Sequence, residues 1–95
     1  MTVVPIVGEY DYSTSSQFEE LLVSALALDK LVVLDMRQAE YLDSACLSVL
    51  VRQWAANQGR FRVVAPPTSA VRRILNITGL DDYLEVVDDL PGVKP

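Results

Sequence analysis

A continuous apolar run at residues 31–34 (Leu-Val-Val-Leu) most constrains what this chain can fold into. Valine and leucine without polar alternation are typical of a β-strand covered on both faces, so we expect this strand near the centre of a sheet. A short link then leads to Asp43 and Ser44, which precede an apolar segment with helical spacing. This order predicts a strand–helix unit with a hydroxyl side chain at the start of the helix.

Ser44 occupies a position that would suit a charge switch. A phosphate at a helix N-terminus meets unpaired backbone N–H groups and the positive end of the helix dipole. Asp43 and Ser44 are also ordinary capping residues, because either side chain can accept an N–H from the first helical turn. The residues alone therefore leave capping and regulation both open, and the two roles are compatible.

Strands and helices alternate along the whole chain. The predicted strands are residues 3–7, 31–34, 61–65 and 84–87. The predicted helices are residues 15–28, a second helix from Ser44 that ends before Gly59, and a third capped by Thr68 or Ser69. Pro5 requires an edge or early strand position because it cannot donate to the ladder, and Gly8 permits a turn after the first strand. We expect residues 88–95 to form a mostly irregular tail.

The second predicted helix has two distinct faces. Leu47, Leu50, Val51 and Trp54 recur at i, i+3, i+4 and i+7, which predicts a face buried in the core. Ser44, Ser48 and Arg52 lie four residues apart on a different face and form a polar strip that runs from the helix start.

Composition limits the classes of protein and partner. The 95 residues, of which 51% are apolar, fit one domain over residues 1–95. Eight basic and thirteen acidic side chains give a net charge of -5, which argues against nucleic acid and anionic membranes as partners. The single cysteine excludes an intramolecular disulfide, and no apolar run approaches the roughly 18 residues of a membrane span. We therefore expect a cytoplasmic protein without membrane insertion.

Arginines are grouped at Arg60, Arg62, Arg72 and Arg73, and this grouping has two readings. The four side chains could form a small basic patch. Dispersal over the surface of a folded domain is the simpler explanation.

Enzymatic function is not expected. The chain has no histidine, the commonest general base and metal ligand, and we predict no catalytic residue, cofactor or metal site. Cys46 to Arg52 matches Cys-x5-Arg and is similar to the phosphate loop of cysteine phosphatases. Such a loop wraps backbone N–H groups around phosphate, whereas residues 47–51 form an apolar helical run. We expect Cys46 to be a small packed residue, which leaves a phosphatase-like enzyme as the least favoured alternative.

Four runs resemble, in their order along the chain, the STAS domains, the fold of bacterial anti-sigma factor antagonists. They are Gly8-Glu9-Tyr10-Asp11, the strand that ends in Asp35, Tyr41-Leu42-Asp43-Ser44 and Asn76-Ile77-Thr78-Gly79-Leu80. The resemblance covers nearly the whole chain. It implies an α/β fold, a single STAS-like domain with a mixed, mostly parallel sheet of about four strands and three or four helices.

The resemblance also implies a mechanism. In that family the serine after the aspartate, here Ser44, is phosphorylated by the anti-sigma factor, and only the unphosphorylated protein binds this serine kinase. A phosphatase is a further implied partner. Family members usually carry Ser or Thr and then Gly after the key serine, whereas this chain has Ala45 and Cys46. The expected partner-binding residues are Asp11, Asp43, Ser44, Ala45, Ser48 and Arg52.

A second functional class stays open because the family also contains transporter subunits. In this alternative, the same helix docks constitutively as the STAS interaction subunit of an ABC-type lipid transport system, and Ser44 is not phosphorylated.

Overall fold

Four parallel strands form the sheet of this chain in the computed structural model, which describes residues 1–57 and 59–90. The strands are β1 (Thr2–Tyr10), β2 (Val32–Leu42), β3 (Phe61–Val64) and β4 (Val86–Val87), in the spatial order β1-β2-β3-β4. The helices are α1 (Ser15–Leu28), α2 (Ser44–Ala56), α3 (Ala70–Ile77) and α4 (Leu80–Tyr83), and a 3-10 turn, Tyr12–Thr14, precedes α1. The predicted α/β class is confirmed, and all three described strand pairings are parallel.

The helices share one apolar core with one face of the sheet. Inward-facing residues of β1, β2 and β3 meet the buried faces of α1, α2 and α3 in a single cluster. Its largest fully buried members include Ile6, Phe18, Leu22, Leu34, Met36, Leu50, Phe61 and Leu75. Val33 and Val64 are buried as well but lie outside this cluster, because successive strand side chains point to opposite faces. The sheet therefore presents its second face away from the helices.

Helix α1 begins and ends where its sequence predicts. The turn before it is capped by Asp11, whose carboxylate accepts the N–H groups of Ser13 and Thr14. Phe18 and Leu22 lie one turn apart and are both fully buried. The ring of Tyr10, at the end of β1, lies 5.5 Å from the ring of Phe18, which fixes the start of α1 against the sheet.

Strand β2 continues far beyond its apolar run. The predicted short link before Asp43 is wrong, because residues 35–42 pair with the second half of β1. β2 carries one extra residue at each of two register shifts, so side chains three residues apart face the same side. Met36, Ala39 and Leu42 are consequently all buried in the core.

Gly8 lies inside β1, so the predicted turn at this residue is wrong. Its φ of +82° falls in the left-handed region, which residues with a side chain adopt at a cost. The second register shift follows directly between Gly8 and Glu9. This glycine therefore permits an irregularity within the strand and does not end it.

Pro5 lies in an edge strand, as predicted. The N–H of Thr2 donates to the carbonyl oxygen of Leu31 at 3.0 Å. Because backbone groups alternate in direction along a strand, residues 2, 4 and 6 bond to β2 and the nitrogen of Pro5 points to the open edge. The absence of an N–H group at Pro5 therefore removes no hydrogen bond between β1 and β2.

Helix α2 buries a face that is rotated from the predicted one. Its fully buried residues are Cys46, Val49 and Leu50. Leu47 and Val51, which the spacing places in the core, are only half-buried. The helix therefore directs apolar side chains both into the core and toward a second region of the surface.

The C-terminal part contains a short fourth helix, within the predicted three or four. Ser69 caps α3, since its hydroxyl accepts the N–H of Arg72 at 3.1 Å. Gly79, with φ +77°, ends this helix, and the four-residue helix α4 follows at once. β4 is shorter than predicted, and residues 88–90 carry neither helix nor strand. Residues 91–95 of the predicted tail lie outside the described residues.

Candidate functional site

Asp43, and not Ser44, caps helix α2. Its carboxylate oxygen Oδ1 accepts the N–H of Ala45 at 2.9 Å and the N–H of Cys46 at 3.4 Å. Ser44 is exposed, and its hydroxyl makes no hydrogen bond to residues 1–57 or 59–90. The Asp43 carboxylate thus accepts the N–H groups of the first turn of α2, while the Ser44 hydroxyl faces solvent.

The turn that follows β1 adjoins the start of α2. The carbonyl oxygen of Tyr10 accepts the N–H of Asp43 at 3.2 Å. Asp11 is therefore brought beside the helix start, as its inclusion in the predicted surface requires. Its carboxylate is exposed and accepts the Ser13 hydroxyl at 2.6 Å, a bond that lowers the pKa of Asp11 below its usual value. Asp11 thus holds the turn in shape next to the site.

Cys46 is a packed core residue, as predicted. Its side chain is fully buried, and α2 runs without a break through residues 47–51, where a phosphate loop would need an irregular path. Burial, followed by the negative charge of nearby Asp43, raises the pKa of the thiol to about 11. A phosphatase nucleophile needs the opposite shift, because the thiolate is the reactive form.

A groove runs along α2 beside the connection between α3 and α4. Its volume is about 540 Å³. The lining residues are Ser44, Leu47, Ser48, Val51, Arg52, Thr78 and Leu80. We call this surface the α2 groove. It has an apolar floor from three aliphatic side chains and a polar rim from α2 and Thr78.

The α2 groove contains half of the predicted partner-binding residues. Ser44, Ser48 and Arg52 line it, as the polar strip on α2 requires. Ala45 is half-buried and does not line the groove. Asp11 and Asp43 lie beyond its Ser44 end, where the turn after β1 meets the helix start.

Sequence reasoning missed the apolar floor of the α2 groove. The helical spacing predicts Leu47 and Val51 in the core, and Thr78 and Leu80 belong only to the run of residues 76–80 that resembles the STAS domains. One signal was present in the sequence: five of the six residues from Cys46 to Val51 are apolar, which is wider than a single buried face needs. The surplus apolar residues are those that floor the groove.

Arg52 marks the end of the α2 groove that is farther from Ser44. Its Nη2 atom donates to Oε2 of Glu19 at 3.1 Å, and the side-chain amide of Gln53 donates to the same oxygen at 3.2 Å. The Arg52 side chain is 58% exposed. Eight residues of helix separate it from Ser44, a distance of about 12 Å along the axis.

Three of the four grouped arginines make separate contacts, whereas Arg73 lies beside Arg72 in a pocket at the start of α3. Arg60 donates to the carbonyl oxygen of Asp29 at 2.7 Å. Arg62 pairs with Glu85 at 2.7 Å, and Arg72 pairs with Asp88 at 2.8 Å.

Comparison with protein families agrees with this geometry. The family model described as "Mlab, STAS domain" matches residues 1–88. The chain therefore belongs to the STAS domain family. STAS domains mediate protein–protein interaction, and this is the general role of the chain. Within the part of the chain that the structure describes, no helix is long and apolar enough to cross a membrane.

Proposed function

We propose that this chain is an anti-sigma factor antagonist, a cytoplasmic protein-binding switch controlled by phosphorylation of Ser44. In its unphosphorylated form it sequesters an anti-sigma factor kinase and thereby frees a sigma factor for transcription. The observation that carries the proposal is the exposed Ser44 hydroxyl on the first turn of α2, beside an aspartate that already caps the helix. The hydroxyl is accessible to a kinase and is not needed for the fold.

Phosphorylation at this position acts on binding and leaves the domain folded. A phosphate adds about -1.5 to -2 charge at neutral pH, and the backbone N–H groups of the first turn together with the helix dipole favour that charge. A partner that covers Ser44 must instead desolvate the phosphate beside Asp43. An unmatched charge at an interface costs several kcal/mol, and about 1.4 kcal/mol is tenfold in affinity.

The docking surface in this proposal combines the helix start with the α2 groove. Small side chains at Ser44, Ala45 and Ser48 let a partner approach the helix backbone closely. Glu40 and Asp43, which precede Ser44 in the chain, add negative charge that steers the approach of a basic partner surface.

Kinase treatment followed by mass spectrometry tests the switch. We expect phosphate on Ser44 after incubation with ATP and the kinase encoded beside this chain, and no phosphate on the Ser44→Ala variant. Ser44→Asp should weaken kinase binding at least tenfold, whereas Ser44→Ala should bind as the unphosphorylated protein does. Phosphate found only on residues 13–16, or binding that is unaffected by Ser44→Asp, would contradict the proposal.

Surface variants locate the interface independently of phosphorylation. Ser48→Lys, on the rim of the α2 groove, should weaken binding. Glu85→Lys, which replaces an exposed residue just before β4, should not. Affinity that maps to Glu85 or to the exposed face of α1 would show that the α2 groove is not the docking surface.

A second candidate is a constitutive interaction subunit of an ABC-type lipid transport system. Two observations favour it: the matching family model is described as "Mlab, STAS domain", and Ala45 and Cys46 depart from the residues usual after the switch serine. In this case the same surface docks without modification. Partner binding that survives Ser44→Asp, together with no phosphate transfer to Ser44, would select this candidate.

A further inference from the structure

We propose that the α2 groove receives an amphipathic helix of the partner, with an apolar anchor on the groove floor and a carboxylate that pairs with Arg52. The inference rests on the proposed function only in taking this groove as the docking surface, and it applies to both candidates. It adds the chemistry that the partner segment must present.

The lining of the groove defines an apolar anchor. Leu47, Val51 and Leu80 supply its floor, and none of the seven lining residues is acidic. A branched aliphatic side chain can remove this floor from water, and the burial of apolar surface favours binding. Polar rim residues then surround the anchor, as at the edge of most protein interfaces.

Arg52 defines the acidic group of the partner. It is the only charged residue that lines the groove, in a chain whose net charge is -5. Glu19 engages only its Nη2 atom. A guanidinium presents five N–H donors in a fixed planar fork, so donors remain for a second carboxylate, while Glu19 restricts the rotation of the side chain.

The dimensions of the groove favour a helix. About 12 Å separates the Ser44 and Arg52 positions along α2, which corresponds to slightly more than two turns of an occupying helix. Such a helix presents anchors at i and i+3 or i+4 to a groove between helices. The lining residues belong to α2, to α4 and to the connection at Thr78, and neither edge strand of the sheet, β1 or β4, contributes to the lining, so strand addition is not available here.

Charge at the other end fixes the orientation of the occupant. Asp43, which caps α2, lies at the Ser44 end, opposite Arg52 along the groove. The favoured occupant therefore carries its acidic residue over Arg52 and an uncharged residue near Asp43. Phosphate on Ser44 would then meet no opposite charge on the occupant, in keeping with the weaker binding expected of the phosphorylated chain.

A phage-displayed library of helical peptides tests the inference without knowledge of the natural partner. The library is selected in parallel on the wild-type chain, on Arg52→Glu and on Glu85→Lys as a control outside the groove. We expect wild-type and Glu85→Lys selections to share an aliphatic i, i+3 or i+4 stripe followed by Asp or Glu. Arg52→Glu should enrich Lys or Arg at that same acidic position.

One selected acidic peptide is then measured by titration with the wild-type chain and with Arg52→Gln. Arg52→Gln should weaken binding about three- to fivefold, the size expected of an exposed ion pair. The peptide in which the acidic residue is replaced by its amide should bind both proteins equally. Equal losses for both peptides would overturn the pairing with Arg52.

Two further variants separate this inference from the docking surface itself. Val51→Lys and Ser48→Trp both obstruct the groove, and Ser48 is exposed, so its substitution should not unfold the chain. Some peptides could lose binding to both variants and yet bind equally well whichever residue stands at position 52. That result would contradict the pairing of an acidic partner residue with Arg52, while the α2 groove would remain the docking surface. Peptides that bind both variants unchanged, or a library that yields no groove-dependent peptide, would refute the amphipathic occupant, while phosphate transfer to Ser44 remains a separate measurement.

Discussion

The thiol sulfur of Cys46 lies 3.9 Å from the backbone carbonyl oxygen of Asp11, so the buried face of α2 contacts the turn that follows β1. The hydrogen bond from the N–H of Asp43 to Tyr10 ties the same two segments one turn earlier. The position of Ser44 is thereby fixed by the end of an edge strand more than thirty residues earlier in the chain. Any group added at Ser44 would therefore meet a backbone that these two contacts already hold in place.

We expect Asp43→Ala to destabilise the domain by about 1 kcal/mol, since it removes the cap of α2. Asp43→Asn keeps an oxygen acceptor and should cost less than half of that. Ser44→Ala should change the free energy of unfolding by less than about 0.5 kcal/mol, because the hydroxyl makes no hydrogen bond to the described residues. Urea unfolding of the three variants checks this. A larger loss for Ser44→Ala than for Asp43→Ala would contradict the assignment of the cap.

Cys46 should make stability fall at alkaline pH. Its pKa is raised from 9.0 to about 11 in the folded chain. The native state therefore holds a proton that the unfolded state releases, so this contribution is complete below pH 9 and is lost as pH rises through about 11. Cys46→Ala should flatten the pH dependence of the urea midpoint over this range. Identical slopes for the two proteins would show that the thiol is not buried in this way.

Because the Cys46 thiol is buried, we also expect it to react slowly with thiol reagents. At pH 7.5 a thiol reagent should label the native chain at least a hundredfold more slowly than the urea-unfolded chain. No hydrolysis of a generic phosphoester is expected. Turnover that disappears in Cys46→Ser would revive the phosphatase alternative.

Asp35 should oppose acid unfolding. Its carboxylate accepts two bonds from the Arg37 guanidinium, at 2.9 and 2.8 Å, and this pairing lowers the pKa of Asp35. A lowered carboxyl pKa contributes stability above the unfolded value of about 3.8 that is lost as pH falls through the folded value. Asp35→Asn should cost about 1–2 kcal/mol at pH 7 and flatten the acid limb of the stability curve.

Helix α1 could be predicted to both of its ends because its signals are local. Hydroxyl residues mark its start, Phe18 and Leu22 repeat at helical spacing, and Asp29 follows its last turn. The identity of the cap of α2 could not be decided in the same way. Asp43 and Ser44 are both competent acceptors, and only the backbone path after β2 selects the aspartate.

The second half of β2 could not be predicted because bulges remove the alternation by which strands are recognised. Met36, Ala39 and Leu42 are buried three residues apart, a period that matches neither a regular strand nor a helix. The extra residues exist only through pairing with β1, which is a tertiary relationship. The floor of the α2 groove could not be predicted for a related reason. Leu47 and Val51 lie beside Thr78 and Leu80, and the apolar spacing within α2 does not specify which distant residues its side chains face.

Pro5 should protect the open edge of β1 from pairing with a second chain. Its nitrogen points away from β2, where any other residue would present an N–H donor to an incoming strand, and Val3 and Val7 beside it are exposed. We expect Pro5→Val to leave the fold intact and to raise self-association at least several-fold in sedimentation velocity across a concentration series. Pro5→Lys restores the same donor but adds an edge charge, so it should self-associate no more than the parent chain, and it separates the effect of the charge from that of the backbone. A Pro5→Val variant whose sedimentation coefficient matches the parent at every concentration would show that the irregular backbone at Gly8 already suffices to block the edge.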